Sequence, residues 1–482
     1  MTTQDLSIAT ADIAAKESLR LLGLDGNNWI AAREDVDHDV AIIGGGQTGI
    51  TTAHALLRAG VANVTVIDAG RQESDLAWQS RARMRTLRTG KTISGPELGN
   101  AALTFRAWFE SIYGTAAFDD IDRIATSDWA DYLSWFREQV GVEVRRGVRV
   151  TDIAPGETGL RLTLEQDGHR WTETTRKLVL AGGVSGTGGP YVPAELRDLP
   201  PALWAHTADA IDFDSLRGKS VAVLGAAASA FDAAATALEA GAGEVHVYTR
   251  RPAVVVANLA NRPNPLVQDV FHLLSDAERW EQRVKAARQG ANVPEDSVTR
   301  AAAFDNYHLH VSAAWSSASE HRGRVRVDAA DGVRTFDYVI AGTGYQQNPS
   351  TRPELATIAP HIALWRDVYT PPEGLENDIL GVAPYLGPGY EFTEKLPGSA
   401  PWLADIHVFS IGANVSFGRP VGDIPSLRMA CHGCLRRSPE TSFLPISMPR
   451  REPDDDDRRA RPRISLVRPE HRRARASRRR HG

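Results

Sequence analysis

Cysteine is nearly absent from this chain: only Cys431 and Cys434 occur in 482 residues. A thiol relay therefore has no residues over the first 430 positions. A single C-H-G-C also supplies too few ligands for a zinc site, so no metal centre is expected. No apolar run approaches the ~20 residues of a membrane span, and the N-terminus lacks the basic start and apolar core of a secretory leader. A cytoplasmic protein is expected. Lysine is missing from Pro449–Gly482, where 13 Arg face six acids, giving that segment +7 and the remainder −12 within a formal net charge of −5. With almost no apolar content, the tail 447–482 is predicted to be disordered. Clustered Arg attracts phosphate, but a dispensable extension is the preferred reading, with no specific nucleic-acid partner.

At 42% hydrophobic and 24% charged residues, the composition suits a globular enzyme of two or three domains. Two strand-turn-helix patterns stand out. DVAIIGGGQTG begins at Asp39 and SVAVLGAAASA at Ser220, each an apolar run followed by an Ala-rich helical stretch. In the first turn Gly44, Gly46 and Gly49 fit G-x-G-x-x-G, with Gln47 and Thr48 at the helix start. The first glycine permits the tight turn, the second the approach of a pyrophosphate, and the third helix-strand packing. The next strand, NVTVIDAG, brings Asp68 to where a carboxylate accepts from a ribose, while the helix N-terminus faces the phosphates. An unphosphorylated ribose, as in FAD or NAD, fits.

The second turn departs from that pattern. Gly225 remains, but Ala227 and Ala230 replace the later glycines, with Ser229 between them, and the Ala227 methyl points to the place of closest pyrophosphate approach. Its following strand ends in Arg250 and Arg251 instead of an acid. A guanidinium pairs with a 2'-phosphate that a carboxylate would repel. FAD is therefore expected at the first turn and NADPH at the second.

Two further apolar strands with glycine exits, LVLAGG at 178–183 and FDYVIAGTGY at 336–345, and a late segment 407–430 suggest an insertion. The predicted fold is α/β, with two Rossmann-like, doubly wound three-layer dinucleotide-binding domains. Residues 1–37 form an N-terminal extension with a surface-packing Trp29, 38–190 the first part of the FAD domain, 191–335 the inserted NADPH domain, and 336–446 the return part.

GGGQTG, GAAASA, AGTGY and the late GDIP, in this order over residues 38 to 435, resemble the flavin-dependent monooxygenases with tandem FAD and NADPH domains. AGTGY is similar to the ATGY motif of N-hydroxylating members. The resemblance implies that hydride passes from NADPH to flavin. One atom of O2 then enters a small-molecule substrate through a flavin C4a-hydroperoxide, and the other becomes water. It adds Gly344 and Asp423 to the cofactor-binding candidates.

N-hydroxylation of an amine or amino acid is the preferred subtype. Baeyer-Villiger or sulfur oxidation is the first alternative, although the F-x-G-x-x-x-H fingerprint of those enzymes is unmet: the linker offers His206, with Pro200 and Ala202 where Phe and Gly would stand. A flavin-binding protein without turnover is the second. By similarity to the amino-acid and diamine N-hydroxylases, Gln79, Arg85, Arg88 and Lys91 are candidates to meet flavin, nicotinamide nucleotide or a substrate carboxylate. Asn258, Asn261, Arg262 and Asn306 are candidates on the nicotinamide side. Gln79, Arg85, Lys91 and Asn261 are taken as the catalytic set. A cationic run is more often a solvated loop, and self-association is left open.

Overall fold

The structure is a computed structural model and describes residues 3–23, 28, 30–256, 270–290, 293–419 and 421–428. Trp29, Asn258, Asn261, Arg262, both cysteines and the Arg-rich tail lie outside the described residues. No described helix is long and apolar enough to cross a membrane.

Seventeen strands are described. Those of the first sheet are β1 (His38–Ile43), β2 (Val64–Asp68), β3 (Val144–Arg146), β4 (Arg149–Gly156), β5 (Gly159–Gln166), β6 (His169–Leu180) and, far along the chain, β17 (Ile406–Val408). Parallel pairing gives the order β3-β2-β1-β6-β17, and the antiparallel hairpin β4-β5 extends from the first half of β6. Val, Ile and Leu on both faces of β1 and β6 explain the burial of their central residues: no face is left for water.

The second sheet joins β8 (Trp204–His206), β9 (Ser220–Leu224), β10 (Glu244–Tyr248), β11 (Tyr307–His310) and β15 (Tyr338–Ala341). All pairs are parallel, in the order β11-β10-β9-β15-β8. The helices Ala228–Glu239 and Glu295–Ala302 cover one face through alanines and valines. An antiparallel meander of β12 (Trp315–His321), β13 (Arg324–Ala329) and β14 (Gly332–Phe336) covers the other.

Because β17 returns to the first sheet after the second is complete, the second unit is inserted in the first. The chain crosses through a short antiparallel ribbon, β7 (Gly189–Pro190) against β16 (Tyr345–Gln346). One expected boundary moves. The strand Tyr338–Ala341, assigned to the return part beginning at 336, pairs with β8 and β9 of the second sheet, so the crossing falls near Tyr345. An apolar run with a glycine exit has the same pattern in either sheet; only pairing decides.

The helix Asp276–Gln289 also leaves its expected unit. Its Trp280 and Val284 pack with Trp365, Ala383 and Val415 of the return part, and the Arg279 guanidinium lies over the rings of Trp365 and Tyr385. In the first domain, helices Phe105–Tyr113 and Thr126–Gln139 present Phe105, Trp108 and Phe109, and Trp129, Tyr132 and Phe136, at spacings of three and four residues. These rings form one buried cluster, each contributing about 1.5–3 kcal/mol. The N-terminal helix Thr3–Leu22 docks on it through Ala11 and Ala15, with Asp12 accepting from Trp135 Nε1 at 2.8 Å.

Candidate functional site

The first turn is built as its spacing predicts. Gly44 has φ +112°, its N–H donates to Ile67 at the end of β2 (2.8 Å), and a Cβ there would lie 2.6 Å from the Ala181 carbonyl oxygen. A Cβ on Gly49 would come within 1.8 Å of the Gly44 oxygen. Gly46 is different: a Cβ there would meet nothing within 4 Å. It caps the helix Gln47–Arg58 without any side-chain hydrogen bond, so the helix dipole and its first N–H groups face open space. Asp68 Oδ2 accepts from Gly45 N–H at 2.6 Å and Oδ1 from Gly70 N–H at 2.7 Å. These fixed bonds hold the carboxylate at the edge of the turn with further lone-pair capacity for a ribose diol.

Gln47, expected among the cofactor ligands, spends its side chain within the protein. Its Nε2 donates to the Gly422 carbonyl at 2.6 Å, and its Oε1 accepts from Trp78 and Trp129, both at 3.1 Å. The late GDIP segment thereby closes over the first turn. There Gly422 has φ +99°, and its added Cβ would lie 2.9 Å from Thr48 Oγ1; Asp423 Oδ1 accepts from Ser426 N–H at 3.1 Å. Thr48 is buried beneath it. The spacing of GGGQTG gives no sign of this clasp, because its partners lie 31, 82 and 375 residues away.

The second turn repeats the geometry with exchanged sizes. Gly225 again has φ +112°, its N–H donates to Tyr248 at 2.9 Å, and a Cβ on it would lie 2.4 Å from the Gly342 oxygen. Gly342 stands where Ala181 stands in the first copy. Here the helix residue Ala230 carries the methyl and the strand residue is glycine; a Cβ on Gly342 would sit 2.5 Å from that of Ala230. The Ala substitution is thus accommodated across the contact. Gly342→Ala is expected to cost about 1–3 kcal/mol in denaturant unfolding. Ala230→Gly in the same chain should recover part of that cost, giving a favourable coupling in the double-mutant cycle. Strict additivity would contradict this packing.

Ala227 caps the helix Ala228–Glu239 without a side-chain bond; Ser229 is exposed. Arg250 is exposed and Arg251 half-buried, with no ion pair for either among the described residues. The Arg251 guanidinium lies over Gly290, where a Cβ would come within 1.6 Å of Nη1.

Two members of the basic run pair with acids of the second unit. Arg85 pairs with Glu239 at 2.8 Å, and Arg88 with the buried Asp232, also at 2.8 Å; both acids lie on the helix Ala228–Glu239. Lys91 directs Nζ at the carbonyls of Phe118, Asp119 and Ile121 (2.7, 3.0 and 2.7 Å), which uses all three ammonium donors at a helix end. A cationic run does not announce such partners in the sequence. Gln79 is exposed on the short helix Ala77–Ser80. Asn306 holds the turn at Ala242 and Gly243 through Nδ2.

Arg83 clamps the linker, donating to the carbonyls of Thr207 (2.6 Å) and Asp209 (2.9 Å). Burial pushes its pKa below the usual Arg value. His206 at the end of β8 is buried, and its Nδ1 accepts from Ala208 N–H at 3.0 Å; burial lowers its pKa, favouring the neutral ring. Gly344, with φ +81° and an open Cβ direction, accepts from Tyr191 N–H at 2.9 Å in the crossing ribbon.

A family model described as pyridine nucleotide-disulphide oxidoreductase matches residues 41–293. That stretch contains no cysteine, so the family's disulphide chemistry has no thiols there. The FAD-dependent urate hydroxylase of Xanthomonas campestris pv. campestris is 35% identical over 450 residues, 91% of this chain and 94% of that protein. L-lysine 6-monooxygenase from Pseudomonas syringae shares the fold with a TM-score of 0.64 at 21% identity, over 83% of this chain and 98% of that one. The ornithine N-hydroxylase of Kutzneria sp. 744 does so with a TM-score of 0.64 at 17% identity, over the same shares of 83% and 98%. The chain belongs to the pyridine nucleotide-disulphide oxidoreductase family, as a flavin-dependent monooxygenase with two dinucleotide-type turns in tandem domains.

Proposed function

We propose that the protein hydroxylates a planar oxopurine of the urate class, using FAD at the first turn and NADPH at the second. The observation that carries the choice of substrate is the engagement of Arg83, Arg85, Arg88 and Lys91. In the segment expected to meet a substrate carboxylate, these cations are already tied to carbonyls or acids of the protein. Relatedness to a urate hydroxylase along nearly the whole chain supports the same reading.

FAD, when bound, supplies the hydride acceptor and the activation of O2. The chain supplies the rest. Gly46 and the open helix end receive the pyrophosphate, Asp68 the ribose, and Arg250 with Arg251 the 2'-phosphate. The Gln47 clasp with Trp78, Trp129 and Gly422 holds the late loop over the flavin turn, and Arg83 and Arg88 keep the two domains in register. In the net reaction two electrons and a proton leave NADPH as hydride and one further proton comes from solvent. One oxygen atom forms the new bond to the ring, and the other departs as water.

N-hydroxylation of an amine or amino acid is the second reading, favoured by the AGTGY strand end at 341–345. Oxygen uptake by purified holoprotein with NADPH separates the two. Urate is expected to stimulate uptake, with one urate lost per NADPH and little peroxide released, whereas L-lysine, L-ornithine and cadaverine leave the basal rate unchanged. Stimulation by an amine without stimulation by urate would reverse the order.

A further inference from the structure

At the edge of the second sheet, histidines accumulate on one face. Strands β10 and β11 run parallel with His246 beside His308 and Tyr248 beside His310, so Glu244, His246, Tyr248, His308 and His310 all project to the same side. Ligand atoms of Glu244, His246 and His308 lie within 4.8 Å of one another.

A chain of hydrogen bonds fixes the state of the central ring. Asp331, an acceptor when ionised, takes the Nδ1–H of His310 at 2.6 Å. His310 Nε2 is then the acceptor for His246 Nδ1–H at 2.9 Å. Tyr248 stacks on His310 at 4.4 Å and 9°, which holds that ring in plane. With His310 neutral, this arrangement leaves the His246 Nε2 lone pair directed at Glu244. Only 8% of His246 is exposed, and its buried Nε2 has Glu244 Oε2 as its polar neighbour.

That lone pair faces Glu244 Oε2 at 3.3 Å. A proton on Nε2 or a metal cation between the two groups satisfies both, and the two compete for the same place. The separation is also the one that two ligands at about 2.0–2.1 Å adopt around a tetrahedral ion. Ser220 Oγ–H donates to Glu244 Oε1 at 2.6 Å, orienting the carboxylate with Oε2 left toward the histidines. His308, exposed on the edge strand with its ring centroid 4.4 Å from that of His246, is free to swing in as the third ligand.

We propose that Glu244, His246 and His308 bind a divalent transition-metal ion of the zinc class, with water in the fourth position. Two imidazoles and one carboxylate suit Zn2+ or Co2+ and disfavour Mg2+, which takes oxygen ligands. Asp331 and His310 act as outer-sphere positioning residues, fixing the tautomer of the buried ligand. The ion ties the edge strand β11 to its neighbour.

The test is titration of chelator-treated, full-length protein with Zn2+ and with Co2+. Wild type is expected to bind one ion of either at this site and to show the intense absorption of a tetrahedral cobalt centre, with Mg2+ failing to compete. His308→Ala, an exposed change that leaves the circular dichroism unaltered, and Glu244→Gln should each remove that binding and that spectrum. Asp331→Asn should weaken it by roughly 10- to 100-fold while keeping the spectrum at saturation. Cys431→Ser with Cys434→Ser should leave it intact. Tight binding that survives His308→Ala, disappears with the two cysteines, or is displaced equally by Mg2+ would overturn the proposal.

Discussion

Gly46→Val is expected to yield a folded protein that purifies without flavin. A Cβ at this position meets no protein atom within 4 Å, and the φ of −81° suits any L-residue, so the valine is tolerated by the apoprotein. What it fills is the space in front of an uncapped helix N-terminus, where the pyrophosphate must touch the backbone. Flavin content should fall at least about tenfold, while apoprotein stability changes by no more than about 0.5 kcal/mol, as for a surface substitution. The comparison must be made between apoproteins, because a ligand bound only by the folded state adds its own stabilisation. Gly49→Ala gives the contrast. Its methyl would lie 1.8 Å from the Gly44 oxygen, so both flavin content and apoprotein stability should drop. Full flavin content in Gly46→Val would contradict the role given to the first turn.

Arg250→Ala is expected to raise the KM for NADPH by roughly 10- to 150-fold. That corresponds to the loss of about 1.5–3 kcal/mol from hydrogen bonds to a charged group. The KM for NADH should barely move, since the side chain has nothing to contact without the 2'-phosphate. Arg250 is the stronger candidate of the pair because it is exposed, whereas the guanidinium of Arg251 already lies over Gly290. Salt provides an internal check: the wild-type KM for NADPH should rise with ionic strength more steeply than that of the variant. Equal changes for the two nucleotides would remove the 2'-phosphate role.

Both turns were legible in the sequence because their chemistry is local. Each glycine acts on backbone within a few residues or on the adjacent strand end, and a strand-turn-helix places Asp68 and Arg250 at a fixed distance along the chain. What was not legible depends on distant partners. Arg88 meets Asp232 across 144 residues, and Lys91 finds three carbonyls at a helix end that no charge pattern reveals. Gly342 makes room for Ala230 from a different strand, a pairing that the second turn read alone does not show. The strand at Tyr338–Ala341 had the right pattern for either sheet. The histidine face was half visible: EVHVY and YHLH each alternate, but only the parallel register sets His246 beside His308.

The two turns are unequal, and the proposed function assigns a direction to that inequality: electrons enter at the second and leave from the first. Anaerobic mixing of the purified holoprotein with NADPH or NADH, followed by stopped-flow flavin absorbance, tests this most directly. The account predicts bleaching by NADPH at a rate that saturates at lower concentration than with NADH, and loss of that advantage in Arg250→Ala. No bleaching by either nucleotide, or a preference for NADH, would contradict it.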